Sequence, residues 1–390
     1  MAILIPSGFY SLEGLIVALI FFNSFFFFKK PLLSLNNFTS SSSVLVLYFA
    51  IHLFSFMYAE NLSSQLRSVV HNLSFLLLPI AFNNFEIKEK EIIKVQKFFI
   101  WSTFFSILIA FIYAFYSYVD TGKSTIYIKD SVQSKFSYYG LTRVYKDWHP
   151  TYVSFFVNIA LLFSYQVFFK KGKFVLWCIT TILFAAGIYF LNSFTGIFIL
   201  IVLLSLFMFA LIESKPIKGL AFATLLASLF LIYKYNPLNL NKISKFKGTN
   251  IEMTDTAGER NILNLRLVKW KAAYTLFKAN PILGTSSGDV RDSLVNFYIK
   301  NGFIYAAKRR FTPHNQFLYV LASFGLIGII VFIGLLVYPI GHQTDLTIFI
   351  ILFSLYCLTE DILQRQQGQV FFVFTYLLLL QKQKNHVKIV

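Results

Sequence analysis

Long apolar runs separated by short polar connections dominate this chain. Crossing a bilayer takes about 20 consecutive, mostly apolar residues. Runs near that length recur at 8–28, 43–59, 68–85, 98–119, 150–169, 174–191, 194–212, 219–235, 317–340, 346–359 and 369–381. The pattern predicts an all-α, polytopic transmembrane bundle of about eleven spans; ten or twelve fit as well, because some runs are short and Pro79 interrupts the third. The first run has neither a basic segment before it nor a small-residue cleavage site after it, so it reads as a retained helix. Three regions follow: a transmembrane region over 1–235 with about eight spans, a large polar loop over 236–316, and 317–390 with about three spans and a short tail.

Composition agrees with this class. Hydrophobic residues make up 57% of the 390 positions and charged residues 13%, about half the charged share of an average soluble domain. The lysines set the orientation. Alternate connections carry Lys29 and Lys30, then Lys88, Lys90, Lys94 and Lys97, then Lys170, Lys171 and Lys173, then Lys215 and Lys218, and the tail adds Lys382, Lys384 and Lys388. Short basic loops stay in the cytoplasm, which puts the N-terminus outside, the C-terminus inside and the 236–316 loop on the outer face.

The net charge of +18 invites a nucleic-acid reading, but no basic recognition module is present. Part of the excess is the cytoplasmic bias. The rest lies in the outer loop, at Lys242, Lys245, Lys247, Lys269, Lys271, Lys308, Arg309 and Arg310. A basic surface beside lipid headgroups favours anionic lipids or phosphate-bearing lipid substrates. Cys178 and Cys357 both fall inside predicted spans, so no disulfide is expected, and the six histidines form no metal-binding motif.

On this topology the polar residues at span borders converge on the outer face. They include Arg143 and Lys146 in the 120–148 loop, the junction Trp148-His149-Pro150-Thr151-Tyr152, the turn Asn192 to Gly196, the loop end Phe311-Thr312-Pro313-His314-Asn315-Gln316 and the segment Thr359 to Gly368. Several loops meeting at one face is what a site requires. Within the large loop, Leu263, Leu267, Trp270, Tyr274 and Phe277 recur at helical spacing, with Arg266, Lys269, Lys271 and Lys278 on other faces and Asn280-Pro281 as the stop. Two readings are open: an amphipathic helix resting on the bilayer, or a cationic face meeting a lipid-borne phosphate.

The order Arg266, Trp270, Asn280-Pro281-Ile282-Leu283-Gly284, then His314-Asn315-Gln316-Phe317-Leu318, then Phe324-Gly325-Leu326-Ile327-Gly328 resembles the O-antigen ligase/polymerase family over roughly 260–330. The His149 junction and the Glu360 to Gly368 segment resemble further features of some members. The resemblance implies an inner-membrane glycosyltransferase whose site faces the periplasm, with no cofactor. Its donor is glycan on undecaprenyl diphosphate, and its acceptor is lipid A–core (a ligase) or another lipid-linked glycan (a polymerase). One position departs: many members carry an arginine in a mid-chain turn where this chain has Ser193-Phe194-Thr195-Gly196, so that phosphate contact does not carry over, and Arg143 is a candidate to replace it.

In this reading His314 is the general base, since an imidazole titrates near the working pH. Arg266 holds the diphosphate, because a guanidinium stays charged and matches phosphate oxygens. Two or three such cations could replace a divalent metal, so the resemblance implies metal-independent transfer, and attack opposite the departing diphosphate would invert the anomeric centre. The other reading of His314 is a helix cap or a partner of a backbone carbonyl. Asn315 is a supporting residue. His149 either orients the acceptor or caps the 150–169 span, Glu360 and Arg365 form an ion pair or touch substrate, and Asp289 caps the following helix or takes part in the site. His52 and His71 read as packed, hydrogen-bonded residues. A transporter of lipid-linked saccharides is the competing class; the asymmetric outer loop and short inner loops speak against it.

Overall fold

The computed structural model describes residues 1–2, 6, 8, 12–26, 40–84, 87–121, 139–145, 148–235, 262–340 and 344–387. Lys29, Lys30, Lys146, Lys242, Lys245, Lys247 and Lys388, and most of the 120–148 loop, lie outside the described residues. The described regular structure is all helical. Five helices are long and apolar enough to cross a membrane: Glu89–Ser117, Pro150–Lys171, Phe174–Leu191, Phe194–Leu211 and Gln316–Val337. Shorter apolar helices cover Glu13–Ser24, Ser42–Met57 and Asp345–Cys357. The run at 68–85 is not one helix. It divides into Leu62–His71 and Ser74–Asn84, and the break falls at Asn72 rather than at Pro79, which sits inside the second helix. Asn72 closes the first helix by donating from both its backbone N and its Nδ2 to the Ser68 carbonyl.

The helices group into two compact units. The unit formed by 2–10 and 93–248 is built around Pro150–Val167, whose residues are nearly all buried, against Phe174–Leu191 and Phe194–Leu211. The turn between the last two is tight because Asn192 takes a left-handed conformation (φ 52°) and the Ser193 hydroxyl accepts from the Gly196 amide. Gly196 lets the helices touch: a Cβ there would lie 2.5 Å from Ser154 Cβ, and Asn158 Nδ2 donates to the Gly196 carbonyl at 3.1 Å.

The other unit contains 11–92 and 249–390. Ser40–Phe54 packs against Ser74–Asn84 and Gln316–Val337, and Gln366–Val387 packs against Ser74–Asn84 and Thr344–Cys357. The Gln316–Val337 helix is broken at Gly325 (φ 59°, ψ −150°), a conformation open in practice only to glycine. The segment 281–286 fills the break. Leu326 N donates to the Pro281 carbonyl (2.8 Å) and Ile327 N to that of Ile282 (3.3 Å), while Thr285 N and Ser286 N donate to Ala322 and Ser323 (both 2.9 Å). These four bonds take up donors and acceptors that an unbroken helix would pair internally. The two stretches Asn280 to Gly284 and Phe324 to Gly328 are thus halves of one joint.

Above this joint the loop forms its own small core of Val268, Ala272, Ala273, Val290, Leu294 and Tyr298, with Tyr319 and Ala322 from the broken helix. The helix Ile262–Ala279 buries Val268, Lys269, Ala272 and Ala273, while Tyr274 is 48% exposed. The expected stripe of Leu267, Trp270, Tyr274 and Phe277 is therefore not the packed face. Small alanines decide the matter, since they admit a close helix approach that bulky aromatics would block.

Buried Gln65 clamps the loop to the spans. Its Nε2 donates to the His52 carbonyl and Ser55 Oγ (both 2.6 Å), and its Oε1 accepts from Ser287 Oγ (3.0 Å) and the Gly288 amide (2.7 Å). Gln65→Leu is expected to cost about 1–3 kcal/mol for each buried group left unpaired, read as a lower Tm of the purified protein; an unchanged Tm would rule the clamp out. His52 is packed edge-on to Phe324 (4.7 Å) with Nδ1 near Ser68 Oγ (3.3 Å), but its buried Nε2 has no hydrogen-bond partner, so it is less well satisfied than expected.

Candidate active site

The loop end 311–316 and the connection 358–363 are stitched together by three polar contacts. His314 Nδ1 lies 2.8 Å from Glu360 Oε1. Asn315 Nδ2 donates to the Leu358 carbonyl (3.1 Å), and the Leu363 amide donates to Gln316 Oε1 (2.9 Å). Asn315 also caps the broken helix, its Oδ1 accepting from the Leu318 amide at 3.0 Å. Capping thus falls to Asn315, and His314 is spared for a carboxylate. His314 is held in a left-handed conformation (φ 48°), an unusual backbone for a residue with a Cβ that tends to mark functional positions. Its side chain remains 28% exposed while that of Glu360 is 10% exposed. Tyr298 steadies the approach by donating to the Phe311 carbonyl (3.1 Å).

Glu360 is accordingly a side-chain partner of His314, a contact that neither the Arg365 pairing nor a bare substrate role anticipated. Asp361 lies behind it, fully buried, with side-chain hydrogen bonds to Thr312 and Glu360. Burial first, and then the neighbouring Glu360 carboxylate, push the Asp361 carboxyl above its ordinary range. A carboxylate beside one ring nitrogen of a histidine favours the tautomer that carries its proton there.

Arg266 and Lys269 stand three residues apart on the loop helix and so share a face. Both sense Glu360 electrostatically. Lys269 is 7% exposed, and its Nζ sits 5.0 Å over the ring of Phe311, which in turn meets the His314 ring edge-on (6.0 Å). Burial, then the Arg266 charge, lower Lys269 to about 8 from its ordinary 10.5. A pKa depressed by folding means that the charged lysine weakens the fold below pH 8, and the cost vanishes as pH rises towards 10.5. Lys269→Met is expected to raise Tm at pH 7, with the gap from wild type closing towards pH 10; a gap that widens with pH would contradict this. Lys269 and Asp361 were not singled out from sequence as site residues. The signals were present, a lysine one turn after Arg266 and an aspartate adjoining Glu360, but only contact with Phe311 and Thr312 gives them meaning.

The fold also supplies what the loop alone lacks, an acidic pair beside a histidine: one donor atom each from His314, Glu360 and Asp361 lie within 4.8 Å of one another. The donor types could hold a divalent ion, and the two cations on the loop helix act against one. Asp289 stands at the N-cap of Val290–Lys300 but makes no side-chain bond to that helix. Its carboxylate accepts instead from the Glu60 and Asn61 amides (2.9 and 2.8 Å) and from Ser286 Oγ (2.7 Å). Asp292 pairs with Arg310. Arg143, which is exposed, and His149 belong to the other unit; His149 occupies the N-cap of Pro150–Val167 without a side-chain cap bond.

Fold and site together define a helical membrane protein with a histidine–carboxylate pair beside two buried or half-buried cations. Residues 179–333 match the family model described as O-Antigen ligase (Wzy_C), which bears out the resemblance to the O-antigen ligase/polymerase family and supports a membrane glycosyltransferase of ligase or polymerase type. The matched stretch contains Arg266, Lys269 and His314, whereas Glu360 and Asp361 lie beyond it. No curated protein matches the chain.

Proposed function

We propose that this chain moves glycan from undecaprenyl diphosphate to lipid A–core at the periplasmic face of the inner membrane, with about eleven spans and the 236–316 loop outside. The observation that carries the reading is the His314–Glu360 pair at 2.8 Å in the electrostatic neighbourhood of Arg266 and Lys269. An acceptor hydroxyl attacks the anomeric carbon and a C–O bond forms there. The bond from that carbon to the diphosphate oxygen breaks, its electron pair leaves with the diphosphate, and the hydroxyl proton passes to His314 Nε2. Attack opposite the leaving group inverts the anomeric centre. Glu360 positions the imidazole and stabilises the imidazolium; Arg266 holds the departing phosphate.

The test is the glycan on lipopolysaccharide from cells carrying wild type or His314→Ala as the sole copy. Loss of all attached repeats, with long glycan stranded on the polyprenyl carrier, is the outcome expected of a ligase. Lipid A–core bearing a single repeat would assign polymerase chemistry instead. An unchanged ladder would reject His314 as the base.

A further inference from the structure

A buried residue needs partners for both its backbone N–H and its C=O, and most find them in other backbone groups. Leu363 does not. It is buried in the short turn Ile362–Gln364, whose own bonds run from Gln364 N to the Asp361 carbonyl (3.0 Å) and from Arg365 N to the Ile362 carbonyl (3.4 Å). Both backbone groups of Leu363 go to side chains instead. Its amide donates to Gln316 Oε1 at 2.9 Å, and its carbonyl accepts from the ring of His71. Gln316 stands two residues after His314, and Leu363 three after Glu360. His71 is itself anchored. It ends the helix Leu62–His71, which Gln65 ties to Ser287 and Gly288 of the loop and Asn72 closes. One helix therefore holds both the loop and the 358–365 connection, the two pieces whose register decides whether His314 meets Glu360.

We infer that His71 is a positioning residue for the transfer reaction: by holding the Leu363 carbonyl it keeps Glu360 at hydrogen-bond distance from His314. This rests on the glycosyl-transfer reading above and adds to it a residue that touches no reacting atom. Asn315 holds the Leu358 carbonyl and Gln316 the Leu363 amide, but both belong to the same stretch as His314 and shift with it. His71 ties the connection to a separate helix. Only three residues separate Leu363 from Glu360, so a displacement at the first reaches the carboxylate of the second. A shift of about 1 Å in a positioned group is enough to cost on the order of a hundredfold in rate. A leucine at position 71 has no donor, and the buried carbonyl it leaves unpaired favours such a shift.

The experiment is steady-state transfer by the purified full chain in detergent, from glycan on undecaprenyl diphosphate to lipid A–core or to a second lipid-linked glycan. It compares wild type, His71→Leu, His71→Gln, Glu360→Gln, His314→Ala and the double variant His71→Leu/Glu360→Gln, with rates taken per folded molecule and Tm recorded for each. His71→Leu is expected to lower kcat roughly tenfold to a hundredfold, the usual loss when a residue that orients another is removed. KM for donor and acceptor should change little, because His71 touches neither. His71→Gln keeps an N–H donor and should recover most of the rate. In the Glu360→Gln background the leucine substitution should cost little more, because residues that act as a unit are not additive. A full His71→Leu effect on top of Glu360→Gln would overturn the route through Glu360. A lowered Tm with kcat per folded molecule unchanged would make His71 a packing residue and overturn its positioning role. Failure of His71→Gln to restore a rate lost in His71→Leu would overturn the Leu363 hydrogen bond as the means. Wild type inactive with both acceptors, or His314→Ala as fast as wild type, would overturn the transfer reading on which the role rests.

Discussion

In purified protein, His314→Ala is expected to lower glycan transfer by about 10²–10⁴-fold, the usual contribution of a positioned general base. Affinity for the diphosphate donor should change little, because the proposed base acts on the acceptor hydroxyl while the proposed donor contact is Arg266. Glu360→Gln keeps the size of the side chain and removes its charge. It is expected to lower kcat by up to about 10⁴-fold, the loss seen when the orienting carboxylate of a Ser-His-Asp triad is neutralised. The reason is that a neutral amide neither selects the Nδ1–H tautomer nor stabilises the imidazolium. Turnover within threefold of wild type in either variant would remove that residue from the mechanism.

The second large effect is structural. Gly325→Ala is expected to destabilise the protein by at least about 1–3 kcal/mol from backbone strain alone, and more from collision. A Cβ at Gly325 would sit 2.4 Å from the Ile282 carbonyl oxygen and 2.6 Å from that of Pro281. Gly284→Ala should act on the other half of the same joint, since its Cβ would meet Phe324 N at 2.4 Å. Because the two substitutions damage one interface, the double variant should lose less stability than the sum of the singles. Thermal unfolding of the four proteins checks this, and strict additivity would show that the two glycines act separately.

The stretches around Gly284 and Gly325 were legible in sequence only as motif halves. Each is a glycine in an apolar setting, and neither says that a helix will break at one and take its missing hydrogen bonds from the other. The helix over 262–279 was legible in its type but not in its orientation. Periodicity finds a stripe of large apolar residues, whereas the packed face is the one with Ala272 and Ala273, because close approach to the broken helix depends on small side chains more than on apolar size. The loop after 357 carries Glu360, Asp361 and Arg365 within six positions, and local proximity favours pairing among them. One partner of Glu360 comes from 46 residues earlier, a contact set by the Asn315 and Gln316 links that bring the two segments into register.

By itself the sequence determined the class of this protein, a helical membrane chain, because the apolar run lengths and the scarcity of charge leave the backbone no other way to satisfy its hydrogen bonds in lipid. It also singled out the polar stretches at span borders as candidates, because a titratable group at a span border is costly unless it has a partner or a task. Only the tertiary structure decided the partners: His314 with Glu360, the 281–286 segment with the break at Gly325, and Lys269 with Phe311. Those contacts join segments far apart in the chain, where side-chain reach and packing of small residues act and local pattern carries no information.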